Sequence, residues 1–118
     1  MNGCYLKFYV QERRKLHGVL AYEWILEKAR QAGLHGGSAF RAIAGYGRHG
    51  VMHEDHFFEL AGDLPMEVGF CVTDEEADRF LALIDAEDVS LFHLRVPIEF
   101  GVVGRQKRGQ ARGQTPHP

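Results

Sequence analysis

Residues 38–72 read SAFRAIAGYGRHGVMHEDHFFELAGDLPMEVGFCV, and the reading of this stretch decides the fold. Ser38 to Tyr46 and Met66 to Val72 have the β-branched, aromatic and alternating character of strands, and Gly47 to Asp55 does not. Two strands are therefore expected, joined by a polar connection rich in glycine and histidine. A tight hairpin closes in about two to five residues, so a connection this long in a compact domain is expected to be functional or disordered. Phe57 to Leu60 reads as a short strand of its own or as an extension of the pairing, and Leu64-Pro65 leads into the third strand, where a proline is tolerated.

Outward from that stretch the chain alternates between strand and helix patterns. Cys4, Leu6, Phe8 and Val10 alternate with Tyr5, Lys7, Tyr9 and Gln11, the period of a half-buried strand. A polar turn from Glu12 to Gly18 follows. From Val19 to Leu34 the spacing becomes helical, with Ala21, Ile25, Ala29 and Ala32 on one face and Gly33 placed to end the helix. Thr73-Asp74-Glu75-Glu76 fits a capping box, which opens a helix carrying Ala77, Phe80, Leu81 and Ile84 on its buried stripe. A last strand, Val89 to Val96, is expected to stop at Pro97, with Ile98 to Val103 as a further short strand or a crossing segment.

This order is α+β, the ferredoxin-like β-α-β-β-α-β sandwich. Right-handed crossovers make the first and second strands parallel and set the third and fourth against them. Three connections then share one end of the sheet: Glu12 to Gly18, the connection from Gly47 to Asp55, and Ala86 to Ser90. A site belongs at that end. With both helices on one side, the other sheet face shows aromatics and aliphatics to solvent, and self-association through it is expected.

At 118 residues the chain is expected to form one domain over residues 1–103, with a tail over residues 104–118. The tail carries Arg105, Lys107, Arg108 and Arg112 and no acid, so it supplies +4 to a net charge of −2 and leaves −6 on the rest. An acidic body does not suit nucleic acid, and a tail this poor in apolar residues is expected to be disordered, either a solubilising extension or an arm for an anionic partner. No apolar run reaches the roughly 18 residues of a membrane span, and the first residues, MNGCYLKFYV, lack a signal-peptide pattern. Cys4 and Cys71 read as buried free thiols of a reducing compartment, so the expected location is cytoplasmic.

The residues that could carry chemistry are few. Gly45-Tyr46-Gly47-Arg48-His49-Gly50 could bring backbone N–H groups and a guanidinium to a phosphate. It is neither a Walker loop nor a dinucleotide fingerprint, and a ligand-free glycine-rich turn fits it equally. His49, His53 and His56, with Glu54 and Asp55, are metal-capable side chains, although their spacing matches no compact zinc motif and a solvated loop accounts for them. Cys71 has no base nearby in sequence and reads as a core thiol. His93 and Arg95 share one face of the last strand, as a satisfied pair or as contacts to an anionic ligand in a cleft between subunits. Without a serine–base pair, a carboxylate dyad or a metal box, the chain is not expected to be an enzyme.

Several short motifs, in order, carry a family resemblance. They are Leu6 to Val10 followed by Glu12 and Arg14, then Gly18, Leu20-Ala21-Tyr22-Glu23 and Lys28-Ala29-Arg30. Gly33-Leu34, Arg41-Ala42-Ile43-Ala44-Gly45-Tyr46-Gly47, Asp63-Leu64-Pro65 and Phe80-Leu81 complete the set. The chain resembles the PII-like family known as domain of unknown function one-ninety, related to the nitrogen regulatory PII signalling proteins. That resemblance implies a homotrimer with its sheets packed around a three-fold axis. It also implies an adenine nucleotide bound as regulatory ligand between subunits, at the base of a T-loop that grips a target protein, a membrane transporter being a natural class.

Carried onto this sequence, Gly45, Tyr46, Gly47 and Arg48 are the expected nucleotide-binding residues, with Arg41, His93 and Arg95 beside them. The loop from Gly47 to Asp55, with His49, Val51, Met52 and His53, is the expected partner-binding segment. Where PII proteins have a glycine-rich, lysine-bearing loop, this chain has Ala86-Glu87-Asp88-Val89-Ser90, whose carboxylates favour AMP or ADP over ATP. The alternative is a metal- or anion-responsive trimer using His49, His53 and His56 without a nucleotide.

Overall fold

A computed structural model describes residues 1–46 and 63–104. Its elements are β1 (Asn2–Gln11), β2 (Lys15–Leu16), β3 (Val19–Leu20), α1 (Ala21–Gln31), β4 (Ser38–Arg41), β5 (Pro65–Val72), α2 (Asp74–Asp85) and β6 (Phe92–Glu99). The main sheet runs β4-β5-β1-β6 with every neighbouring pair antiparallel. With the small β2–β3 hairpin set apart, this is the ferredoxin-like order, and β4 points the same way as β1.

Alternation along β1 and β5 sorts the side chains onto two faces. Cys4, Leu6, Phe8 and Val10 pair across the register with Val72, Phe70, Val68 and Met66, and all are buried beneath the helices. α1 adds Ala21, Trp24, Ile25 and Ala29 to this layer, and α2 adds Ala77, Phe80 and Ile84. At its centre Phe8, Phe70 and Phe80 meet edge to face, with ring centroids 5.7 to 6.5 Å apart, the geometry that aromatic quadrupoles prefer. Both helices therefore cover one face and leave the other open.

The helix ends are set locally. The Thr73 hydroxyl accepts from the Glu76 N–H at 3.1 Å while the Glu76 carboxylate accepts from the Thr73 N–H at 2.9 Å, so the expected capping box is present. α1 has no side-chain cap; the Ala21 N–H donates instead to the Arg14 carbonyl at 2.8 Å. At its other end the N–H groups of Gly33 and Leu34 donate to the carbonyls of Arg30 and Ala29, which closes the helix.

Four expectations need correction. Val19 and Leu20 are not helical: His17 (φ 52°) and Gly18 (φ 82°) make a tight turn that pairs them with Leu16 and Lys15. The left-handed turn outweighs the helical spacing. The second strand ends at Arg41 and not at Tyr46, because Ala42, Ala44 and Gly45 offer little to bury and Ile43 is 92% exposed. The last strand is Phe92–Glu99 and runs through Pro97, which an edge strand tolerates; Ile98 and Glu99 finish it, and Phe100 and Met1 exchange backbone hydrogen bonds of 2.9 Å. Cys71 is exposed and only Cys4 is buried, because Cys71 pairs with Tyr5 on the open face. The expected strand over residues 57–60 and the tail from residue 105 lie outside the described residues.

Candidate functional site

Antiparallel topology brings the C-terminal ends of β1 and β4 together with the N-terminal ends of β5 and β6. The turn after Gln11, both mouths of the connection between Arg41 and Pro65, and the segment before Phe92 therefore meet at one end, as expected.

Glu12 stands at the centre of that end. Its N–H donates to the Leu64 carbonyl at 2.9 Å, and one carboxylate oxygen accepts from the Leu64 N–H at 3.5 Å. The other carboxylate oxygen takes the Arg41 guanidinium at 3.3 Å. A single side chain thus touches the last residue of β4 and the residue that precedes β5. Asp63 reinforces the junction: its carboxylate accepts from the Arg13 N–H at 3.3 Å, and its carbonyl accepts from the Gln11 amide at 3.2 Å. On the far side, the Arg14 guanidinium donates to the Ser90 carbonyl at 2.6 Å, tying the first turn to the segment before β6.

The acidic segment 86–90 is partly neutralised from within. The Lys28 ammonium lies 2.9 Å from the Glu87 carboxylate, with the His17 ring 3.8 Å from its other oxygen. The hydrogen bond from Lys28 holds the Glu87 carboxyl below its ordinary range. Lys28 and His17 also pack on the Trp24 ring, at 5.6 and 5.7 Å from its centroid, so this cluster fastens the hairpin tip, α1 and the end of α2 together.

Of the residues expected in a site, Arg41 lies at this end, bound to Glu12. Gly45 lies against Pro65, since a Cβ there would sit 3.3 Å from the proline ring. Tyr46 is 60% exposed at the edge of the described chain. Gly47, Arg48, His49, Val51, Met52, His53 and His56 lie outside the described residues; among the described ones no group of three metal-capable side chains assembles. Arg95 is not brought to this end, whereas His93, the second residue of β6, stays near it. His93 and Arg95 pair with Phe8 and Leu6 on the helix-covered side, where the His93 ring lies 6.1 Å from Phe8. Arg95 reaches Asp78 at 2.7 Å and Asp74 at 3.3 Å in the first turns of α2.

The sequence reading assigned no role to Glu12, Asp63 or Lys28. Their signal was present nonetheless, since all three fall within the short motifs that carried the resemblance.

On the open face, Tyr5 and Tyr9 both donate to the Glu67 carboxylate, at 2.7 and 3.1 Å, and Lys7 lies 3.7 Å from it. Tyr5 lies across Gly69, where a Cβ would come within 2.1 Å of the phenol oxygen. Around this cluster Phe40, Phe92, Leu94 and Val96 are exposed.

A family profile described as DUF190, uncharacterized ACR, matches residues 3–88. A UPF0166 protein of Aquifex aeolicus is 34% identical over 97 residues, which cover 75% of this chain and 92% of that protein. The chain belongs to the DUF190 family. A second UPF0166 protein, from Methanocaldococcus jannaschii, is 33% identical over 76 residues, 64% of this chain and 69% of that protein. Among solved structures, CPII of Thiomonas intermedia K12, bound to ADP, AMP and acetate, superposes with a TM-score of 0.57. It covers 86% of this chain and 90% of CPII at 16% identity, which shows that this DUF190 chain has a PII-like fold. No helix among the described residues is long and apolar enough to cross a membrane.

Proposed function

We propose that the protein is a trimeric PII-like regulator that binds an adenine nucleotide between subunits and controls a protein partner through residues 47–55. The observation that carries this reading is that the Arg14 and Arg41 guanidiniums lie with the base of the long connection at one end of a PII-like sheet. The similarly folded CPII is bound to ADP and AMP, which supports an adenine nucleotide as the ligand class. In this reading Gly45, Tyr46, Gly47 and Arg48 hold the phosphates and adenosine, with Arg41 beside them. The open face supports the trimer: Glu67 is satisfied by Tyr5, Tyr9 and Lys7, so covering this face leaves no unpaired charge there. The protein acts by binding and not by turnover, in the cytoplasm, on a partner for which a membrane transporter is the natural class.

Calorimetric titration of AMP, ADP, ATP and cyclic AMP, with and without magnesium, tests the reading. Saturable binding near one ligand per subunit, lost in Arg48→Ala, supports it. Absence of heat with every nucleotide in a folded trimer overturns it.

A further inference from the structure

We infer that Glu12 is a built-in competitor for the anion at Arg41 and so sets how much negative charge the site accepts. This rests on the nucleotide reading above and specifies its selectivity. The Arg41 side chain is 57% exposed on an edge strand, so its guanidinium is open to a ligand on the side away from Glu12. The backbone bond from the Glu12 N–H to the Leu64 carbonyl at 2.9 Å fixes the position of the residue, and a long 3.5 Å contact from the Leu64 N–H orients the other carboxylate oxygen. An incoming phosphate therefore meets the guanidinium with a carboxylate 3.3 Å behind it.

Attraction to Arg41 and repulsion from Glu12 both scale with ligand charge, so the carboxylate cancels most of the advantage that a polyphosphate would otherwise hold. Asp63, whose carboxylate accepts from the Arg13 N–H at 3.3 Å, adds a second negative charge to the same end of the sheet. Glu87 is already paired with Lys28, whereas the Glu12 carboxylate lies directly against Arg41. The ligand class that fits is a nucleoside mono- or diphosphate.

Glu12→Gln is the informative variant, because glutamine keeps an oxygen for the Leu64 N–H and removes the charge. Affinities for AMP, ADP and ATP are measured by calorimetry in the wild type, Glu12→Gln, Arg41→Met and the double variant, with circular dichroism as the check on folding. Glu12→Gln should tighten AMP about threefold and ATP about tenfold, and part of that gain, again larger for ATP, should persist in the Arg41→Met background, where the carboxylate otherwise still repels the ligand. Arg41→Met, which leaves the Glu12–Leu64 bonds intact, should weaken ATP more than AMP. Nucleotide binding with an unchanged ATP-to-AMP ratio in both single variants overturns the role of Glu12 and leaves the nucleotide reading standing. Failure of the wild type and of Glu12→Gln to bind any nucleotide, or inorganic pyrophosphate as a bare anion probe, overturns both.

Discussion

Tyr5 on β1 and Glu67 on β5 are joined by a 2.7 Å hydrogen bond on the face of the sheet that the helices do not cover. The bond spans a diagonal of the register, since Tyr5 pairs directly with Cys71 and Glu67 with Tyr9. It forms because Gly69, between them, has no side chain to block the phenol. Burial, aided by the neighbouring carboxylate, pushes the Tyr5 phenol far above its ordinary value, and the hydrogen bond from Tyr5 holds the Glu67 carboxyl below 4.5.

A carboxyl with a depressed folded pKa stabilises the fold above its unfolded value, and that contribution is lost as pH falls through the folded one. Tyr5→Phe should therefore cost about 1 kcal/mol at neutral pH for this partly open pair. The cost should shrink as pH falls through the lowered folded-state range of the Glu67 carboxyl. Urea unfolding at fixed protein concentration, at neutral pH and well below the carboxylate range, makes the comparison. An equal gap at both would show that the bond is not linked to the charge on Glu67.

Leu94 lies at the middle of the exposed row of β6, 38% accessible between Phe92 at 39% and Val96 at 42%. If three copies pack through this face, Leu94→Asp places an unpaired charge in each contact and should yield monomers by sedimentation velocity. Sedimentation like that of the wild type would place the contact elsewhere.

Arg95 is committed to the other end of the molecule. Both terminal guanidinium nitrogens are engaged by α2 carboxylates, and the same guanidinium partly offsets the burial that pushes the Cys4 thiol up. Arg95→Ala should lower stability by about 1 kcal/mol, the scale of a partly exposed pair, and leave nucleotide affinity unchanged. A clear loss of affinity without loss of stability would return Arg95 to the ligand.

Much of the fold was legible because its signals are local. The alternation from Cys4 to Gln11 and the capping box at Thr73 each involve residues only a few positions apart, and both stand in the structure as read. The short elements were not legible. Val19 and Leu20 fit a helical stripe as well as a two-residue strand, and only the left-handed His17-Gly18 turn separates the two. Pro97 reads as a stop until β6 is known to be an edge, where the missing N–H costs no ladder bond. The site divides in the same way: its end of the sheet follows from topology, but the pairing of Glu12 with both Arg41 and Leu64 joins residues 29 and 52 positions apart. No periodicity reports such contacts.

The amino-acid sequence by itself determined the order of the main strands and helices, most of their buried stripes and the family, because these depend on side-chain spacing and on short motifs. Tertiary structure alone decided which charges meet. Arg95 and Arg41 look alike in sequence, yet one is held by the first turns of α2 and the other by Glu12. Cys4 and Cys71 both sit in strands, yet only one faces the helices. The reason is physical: strand pairing brings together residues that are distant along the chain, so the partner each side chain meets depends on which strands pair and not on local spacing.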